Sequence, residues 1–126
     1  MGLYFVYSII VAKLVVKYGS TLKHLSDLVR NCVMWKFKPS DGKTAKELAE
    51  DVKEKYESLL GLVPGLTSIE IGINRNEGKT SYDAVMIADF ENWEALAAYK
   101  ADTMRDNVIE YVKTIAEVRA KVEYER

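Results

Sequence analysis

The sequence predicts an α+β domain in which helices cover one face of a four-stranded antiparallel sheet. Four segments alternate between apolar and polar residues, and the segments between them carry apolar residues at helical spacing. Their order along the chain is β-α-β-β-α-β, the split βαβ arrangement. Because crossovers between strands of one sheet are right-handed, this order predicts that the helices share one side of the sheet.

The first strand and the first helix have the clearest signals. Residues 29–38 are rich in β-branched and aromatic side chains, and Pro39 to Gly42 ends the strand. Thr44 and Glu47 form a capping-box pattern, so we predict a helix over 44–60 that ends near Gly61. One face of the strand is predicted to carry Val29, Asn31, Val33, Trp35 and Phe37.

The second half of the chain supplies the remaining elements. Asn92 and Asp102 each precede a helical pattern and are predicted N-caps, a role we favour for Asp102 over that of a base. The predicted ranges are strand 66–74, strand 82–90, helix 93–101, helix 103–113 and strand 118–124.

Composition excludes several classes of function. The 126 residues fit one domain, and 18 basic against 19 acidic residues form no basic stripe, so nucleic acid is not a predicted partner. With one cysteine (Cys32) and one histidine (His24), the chain has no internal disulfide and no Cys/His zinc site. No carboxylate cluster is visible in the sequence, so we predict no metal or cofactor. A single free cysteine fits the reducing cytoplasm.

Residues 1–27 differ from the rest and are interpreted as an N-terminal extension before a domain at 28–126. The apolar run over 2–12 is shorter than the roughly 20 residues of a membrane-spanning helix, and no secretory signal pattern is present. Leu codons can serve as bacterial starts, so Leu28 could be the initiator. A short membrane-surface anchor is the other interpretation.

The predicted sheet is apolar on both faces, which favours a homodimer. A face left without helices should be polar, yet the first and third strands put apolar residues there too. Because soluble monomers rarely expose such a patch, a second copy is the simplest cover. In the alternative, residues 1–27 fold over the same face. The predicted interface residues are Cys32, Met34, Val85 and Ile87.

Five segments in order resemble the stress-responsive A/B barrel (Dabb) family: VRNCVMWKFK, IEIGIN, SYDAVMIADF, ENWEALAAYK and RAKVEYE. The resemblance covers about residues 29–124. It implies a ferredoxin-like fold and a homodimer in which two sheets face each other as an α+β barrel. Members include plant stress proteins, uncharacterised bacterial proteins and a polyketide cyclase.

The cyclase branch of that family uses a histidine on the first strand and an HPxH stretch after the second helix. Here the corresponding positions are Asn31 and residues 102–105, which end in Arg105. Histidine can give and take a proton near neutral pH, whereas asparagine can only hydrogen-bond and arginine stays protonated. Cyclase-type acid–base catalysis is therefore not expected at these positions.

Two classes of function remain. The first is a non-catalytic stress or binding protein with a small hydrophobic or aromatic ligand between sheet and helices; the second is a cofactor-free enzyme, monooxygenase-like or polyketide-cyclase-like, acting on an aromatic or polyketide-like substrate. The missing histidines favour the first. Core packing is the alternative role for the aromatic residues. The predicted pocket residues are Asn31, Trp35, Tyr82, Phe90, Tyr99, Arg105 and Tyr111.

Overall fold

The computed structural model describes residues 27–126, which form a four-stranded antiparallel sheet with helices on one side. The strands lie in the order β2-β3-β1-β4, so β1 and β3 are central and β2 and β4 are edges. The predicted β-α-β-β-α-β order is confirmed. The strands are β1 (Val29–Phe37), β2 (Leu66–Ile73), β3 (Ala84–Phe90) and β4 (Ala116–Glu125).

Each of the three helices in the described part of the chain begins at a side-chain cap. Helix α1 (Ala45–Glu57) begins with the predicted capping box, in which Thr44 Oγ1 accepts from the Glu47 amide at 3.1 Å. Helix α2 (Trp93–Lys100) is capped by Asn92 and helix α3 (Thr103–Ile115) by Asp102. A cap satisfies amides that the first helical turn leaves free, which explains why short polar residues mark all three starts.

Burial separates the two faces of the sheet. On β1, every second residue from Val29 to Phe37 is buried beneath the helices, and the residues between them are half-buried or exposed. We call the first side the helix face and the other side the open face. The predicted inward set of β1, Asn31 included, is therefore confirmed.

Several element boundaries differ from the prediction. Helix α1 ends at Glu57 and a turn follows, so Gly61 adopts its positive φ of 87° beyond the helix instead of at its end. Helix α3 extends to Ile115 and β4 begins at the next residue. Strand β3 begins at Ala84, two residues later than predicted, so strand alternation does not extend back to Tyr82.

Gly65 provides a direct test of how the loop before β2 packs against α2. Its φ is 83°, and an added Cβ would lie 2.5 Å from Ala95 Cβ. We expect Gly65→Ala to lower the free energy of unfolding by about 2–3 kcal/mol, because backbone strain and a steric clash act together. Gly61→Ala is the matched control: its φ is 87° with nothing within 4 Å, so only strain of about 1 kcal/mol is expected. Equal losses in urea titrations would contradict this packing.

Candidate functional site

The candidate site begins with Asn31, a polar side chain within an apolar face. Asn31 is 3% exposed and lies between Ala88 on β3 and Glu123 on β4. Its Oδ1 is buried and has no hydrogen-bond partner among residues 27–126. Since buried polar atoms are nearly always hydrogen-bonded, this amide requires an explanation that packing does not supply.

Tyr99 of α2 covers the sheet next to Asn31. Its ring centroid lies 4.8 Å from that of Phe90, and its hydroxyl donates to Met86 Sδ at 4.0 Å. Met86 and Phe90 flank Ala88 on β3, and Ala88 is the cross-strand partner of Asn31. Tyr99 therefore packs on the part of β3 that pairs with Asn31.

Arg105, in the first turn of α3, contacts the Tyr99 ring. Its guanidinium carbon is 5.1 Å from the Tyr99 ring centroid, and Nη1 donates to the Lys100 carbonyl at 3.2 Å. Nε of Arg105 is buried and has no hydrogen-bond partner within the described part of the chain. Asp102 does not supply one, because its Oδ1 accepts from the Met104 and Arg105 amides as the α3 cap.

An ion pair joins β4 to α2 at the edge of this group. Glu123 Oε2 lies 2.8 Å from Lys100 Nζ and 3.7 Å from Lys121 Nζ. Burial opposes ionisation of Glu123, but the hydrogen bond and charge of Lys100, aided by Lys121, hold its pKa below the usual range. Glu123 therefore stays ionised: its Oε1 accepts from Lys100 Nζ at 3.0 Å, while its buried Oε2 has charge contacts but no hydrogen-bond partner among residues 27–126.

The neighbouring phenols stay protonated at neutral pH. Burial raises the pKa values of Tyr56 and Tyr99, although the positive charges of Arg105 and Arg119, and for Tyr99 also a hydrogen bond from Arg105, act in the opposite direction. Arg119 lies on the helix face of β4, where it pairs with Trp35. Tyr99 and Tyr56 can therefore donate hydrogen bonds here but are poorly suited to act as bases.

The structure groups four of the seven predicted pocket residues and separates the other three. Asn31, Phe90, Tyr99 and Arg105 lie together as described above. Trp35 is in the core, 1% exposed, with its ring 5.5 Å from Tyr56 and 5.9 Å from Phe37. It therefore packs the interior beneath α1 instead of lining the Asn31 group.

Tyr82 and Tyr111 are corrections to the predicted pocket. Tyr82 precedes β3, and Lys36 Nζ of the open face lies 5.4 Å from its ring, so it belongs to the opposite side of the sheet. Tyr111 lies in a 560 Å³ cleft between α1 and α3, where its hydroxyl donates to Asp51 Oδ2 at 3.0 Å. Its helical position directs it to α1 and away from Asn31.

The open face carries all four predicted interface residues. Cys32, Met34, Val85 and Ile87 alternate with the buried residues of β1 and β3 and lie opposite one another in register. Strand β4 extends the same apolar surface. Its large side chains there are Val118, Val122 and Tyr124, which are 41%, 55% and 41% exposed.

An ion cluster at one end of the open face was missed by the sequence interpretation. Asp89 is 3% exposed, and its carboxylate accepts from Arg30 Nε at 2.8 Å and from Arg30 Nη2 at 3.0 Å. Arg126 Nη1 and Ser68 Oγ donate to Oδ2 at 3.0 and 3.3 Å. The cluster could have been predicted only from the register of β1 and β3, which places Arg30 opposite Asp89.

Residues 27–126 contain neither a metal-binding cluster nor a membrane-spanning helix. Within that range no three His, Cys, Asp or Glu side chains are grouped so as to hold a metal ion. No helix of the described range is both long and apolar enough to span a bilayer. His24 and the rest of the predicted 1–27 extension, with the ideas of a late start or an anchor, lie outside the described residues.

The topology and the Asn31 group define a ferredoxin-like α+β protein with polar groups enclosed between its sheet and its helices. The chain belongs to the stress responsive A/B barrel domain family, whose model matches residues 29–126. No curated protein matches the sequence.

Solved structures with the same fold differ widely in what they do. A dimeric Bacteroides fragilis protein of unknown function is 24% identical, with a TM-score of 0.68 over 79% of this chain and 96% of that one. A Passiflora edulis hydroxynitrile lyase is 11% identical, with a TM-score of 0.67 over 80% and 94%. SnoaB, a cofactor-independent oxygenase from Streptomyces nogalater, is 12% identical, with a TM-score of 0.60 over 78% and 91%. At such identities the likeness concerns the fold alone.

Proposed function

We propose that the protein is a homodimeric cytoplasmic binding protein of the A/B barrel family, and that each protomer holds a small hydrophobic or aromatic ligand between sheet and helices. The main support for a ligand site is the buried Oδ1 of Asn31, which has no hydrogen-bond partner among residues 27–126. A buried polar atom without a partner costs about 1–3 kcal/mol, so a ligand that donates to it gains affinity. Tyr99 and Phe90 supply the aromatic surroundings.

Binding is favoured over catalysis by the chemistry of the grouped residues. Asn31 does not titrate, Arg105 stays protonated, and burial keeps the phenols of Tyr56 and Tyr99 protonated. General acid–base catalysis near neutral pH needs a group with a pKa close to the working pH. The group thus resembles a recognition site more than a monooxygenase-like or cyclase-like centre, which is the alternative function.

The proposed dimer covers the open face. Met34, Val118, Val122 and Tyr124 are each at least 40% exposed and lie next to Cys32 and Ile87. Several of the most similar solved structures are dimeric ferredoxin-like proteins, which supports a second copy as the partner. A twofold contact pairs the same patch on both protomers, so one apolar surface is enough to cover itself.

The dimer is tested by placing a charge on the apolar surface that β4 adds to the open face. We expect Val122→Asp to convert the full-length dimer to monomer in sedimentation velocity, because a carboxylate would be buried between two apolar sheets. Lys121→Asp is the matched control: it adds the same side chain at the neighbouring position on the helix face and should leave the dimer intact. The proposal would be contradicted if the wild type were monomeric and formed dimers only after removal of residues 1–27. In that case the N-terminal extension would cover the open face.

The ligand site is tested with a neutral aromatic that can donate to Asn31. We expect meta-cresol to bind the wild type in calorimetric titration and to bind Asn31→Leu about fivefold more weakly, because the variant removes the acceptor and keeps the branched shape of the side chain. Cys32→Ser, the next residue on the opposite face, should bind like the wild type. Failure of the wild type to bind, or equal binding by Asn31→Leu, would refute the site.

A further inference from the structure

The two edges of the open face differ in shape. Strand β4 carries the large apolar side chains Val118, Val122 and Tyr124, which are at least 41% exposed and project from the sheet. Strand β2 instead presents Glu70 and Gly72 there, because these residues are the cross-strand partners of open-face residues of β3. One edge of the open face is therefore raised and apolar, and the other edge is low.

An apolar hollow of 310 Å³ lies on the low side of the open face. Its lining includes Met34 of β1, Gly72 of β2, Val85 of β3 and Tyr82 before β3. A side chain at Gly72 would enter this space, since an added Cβ would lie 3.2 Å from Val85 Cγ1. Glycine weakens the interior of a strand and often marks a position where another backbone approaches closely. The hollow is therefore suited to apolar side chains from a second strand.

Two twofold arrangements bring a pair of open faces together with their strands nearly aligned. If the axis runs across the strands, β2 lies on the partner's β2 and β4 on the partner's β4. If the axis runs along the strands, the order β2-β3-β1-β4 is reversed in the partner. In that case β4 of each protomer lies over β2 of the other, and β1 lies over β3.

Shape and charge both favour the axis along the strands. It places the raised β4 edge of each protomer over the hollow of the other, whereas the axis across the strands presses raised edge against raised edge. The axis across the strands also brings together the two β2 strands, each with an exposed Glu70 on the open face. Like charges facing each other across an interface are unfavourable, and the axis along the strands keeps the two Glu70 carboxylates at opposite edges.

We propose that β4 of each protomer docks over β2 and the apolar hollow of its partner, about a twofold axis that runs along the strands. This arrangement rests on the homodimer proposed above and adds which surfaces of the two copies meet. An axis along the strands preserves position along them, and one row across the sheet contains Glu70, Ile87, Cys32 and Val122. Val122 of one protomer therefore faces the partner's Glu70.

The test is a charge-reversal rescue, measured by sedimentation velocity on the full-length protein. Val122→Asp places a carboxylate opposite the partner's Glu70 and is expected to be monomeric at concentrations at which the wild type is dimeric. Adding Glu70→Lys creates two pairs of opposite charge across the interface, so the double variant should dimerise at least about tenfold more tightly than Val122→Asp alone. Val122→Asp with Glu50→Lys is the matched control: Glu50 is exposed on α1, and the same charge change there should give no rescue.

Gly72→Leu tests the shape of the contact independently of charge. The added side chain fills the hollow and should weaken the dimer at least about tenfold, while circular dichroism shows that the variant is folded. If Glu70→Lys rescues Val122→Asp no better than Glu50→Lys does, the docking of β4 on β2 is wrong while the dimer stands. A monomeric wild type, or a Val122→Asp protein that remains dimeric, would instead overturn the open-face dimer itself.

Discussion

Replacing Trp35 by alanine is expected to lower the free energy of unfolding by about 3–5 kcal/mol. Trp35 is 1% exposed on β1, between Ala84 and Arg119, and stacks against Tyr56 of α1 and Phe37. Truncation leaves a cavity at the contact between sheet and helix layer. Since small domains have total stabilities of about 5–15 kcal/mol, this change removes much of the available stability.

Urea titration followed by circular dichroism measures that loss, with Trp93→Ala as the matched control. Trp93 is 43% exposed and makes a surface hydrogen bond from Nε1 to Glu125. We expect its removal to cost about 1 kcal/mol or less. If the two tryptophan variants lost similar stability, the placement of Trp35 in the core would be wrong.

Asp89→Asn is expected to lower the free energy of unfolding at pH 7 by about 2–3 kcal/mol. The Asp89 side chain is 4% exposed and pairs with Arg30 and Arg126, so loss of its charge leaves both arginines without their carboxylate partner beside the sheet. The effect is smaller than for a fully buried pair because the Arg126 side chain is 43% exposed. Asp51→Asn, which breaks an exposed pair with Lys43, should cost less than about 1 kcal/mol.

The Asp89 contribution should also depend on pH in a defined direction. Hydrogen bonds from Arg30 hold the pKa of Asp89 below its usual value, against the opposing effect of burial, and the Arg126 charge adds to the shift. A carboxyl whose folded pKa is depressed stabilises the protein above its unfolded pKa and loses that effect as the pH falls through the folded pKa. The difference between wild type and Asp89→Asn should therefore be constant near neutrality and shrink below about pH 4.

Unfolding curves of both proteins from neutral to acidic pH, at one protein concentration, provide the check. A difference that grew on acidification would contradict the shift. A pH-independent difference would assign the stability change to packing or hydrogen bonding of the side chain instead of its charge.

Local patterns were enough to predict the framework. Alternation along β1 identified its buried face, and the cap residues Thr44, Asn92 and Asp102 marked three helix starts correctly. These signals act between residues that are close in sequence, so they can be read without knowing the fold. The placement of Tyr82 failed because alternation was extended past Ala84, where β3 begins.

The candidate site depended on contacts that local patterns do not encode. Asn31 and Arg105 were singled out through their positions in the family pattern, but their arrangement around Tyr99 results from how α2 and α3 pack on β3. The Arg30–Asp89 cluster required the register of two strands that are far apart in sequence. Tyr111 was misplaced for the same reason, because its partner Asp51 belongs to a different helix.

Native mass spectrometry of the full-length protein with added meta-cresol tests the proposed liganded homodimer most directly. The expected species has twice the 14.3 kDa mass of the chain and gains up to two molecules of the probe, with retention reduced by Asn31→Leu. A species with the mass of one chain, or a dimer that retains no probe, would contradict the proposal.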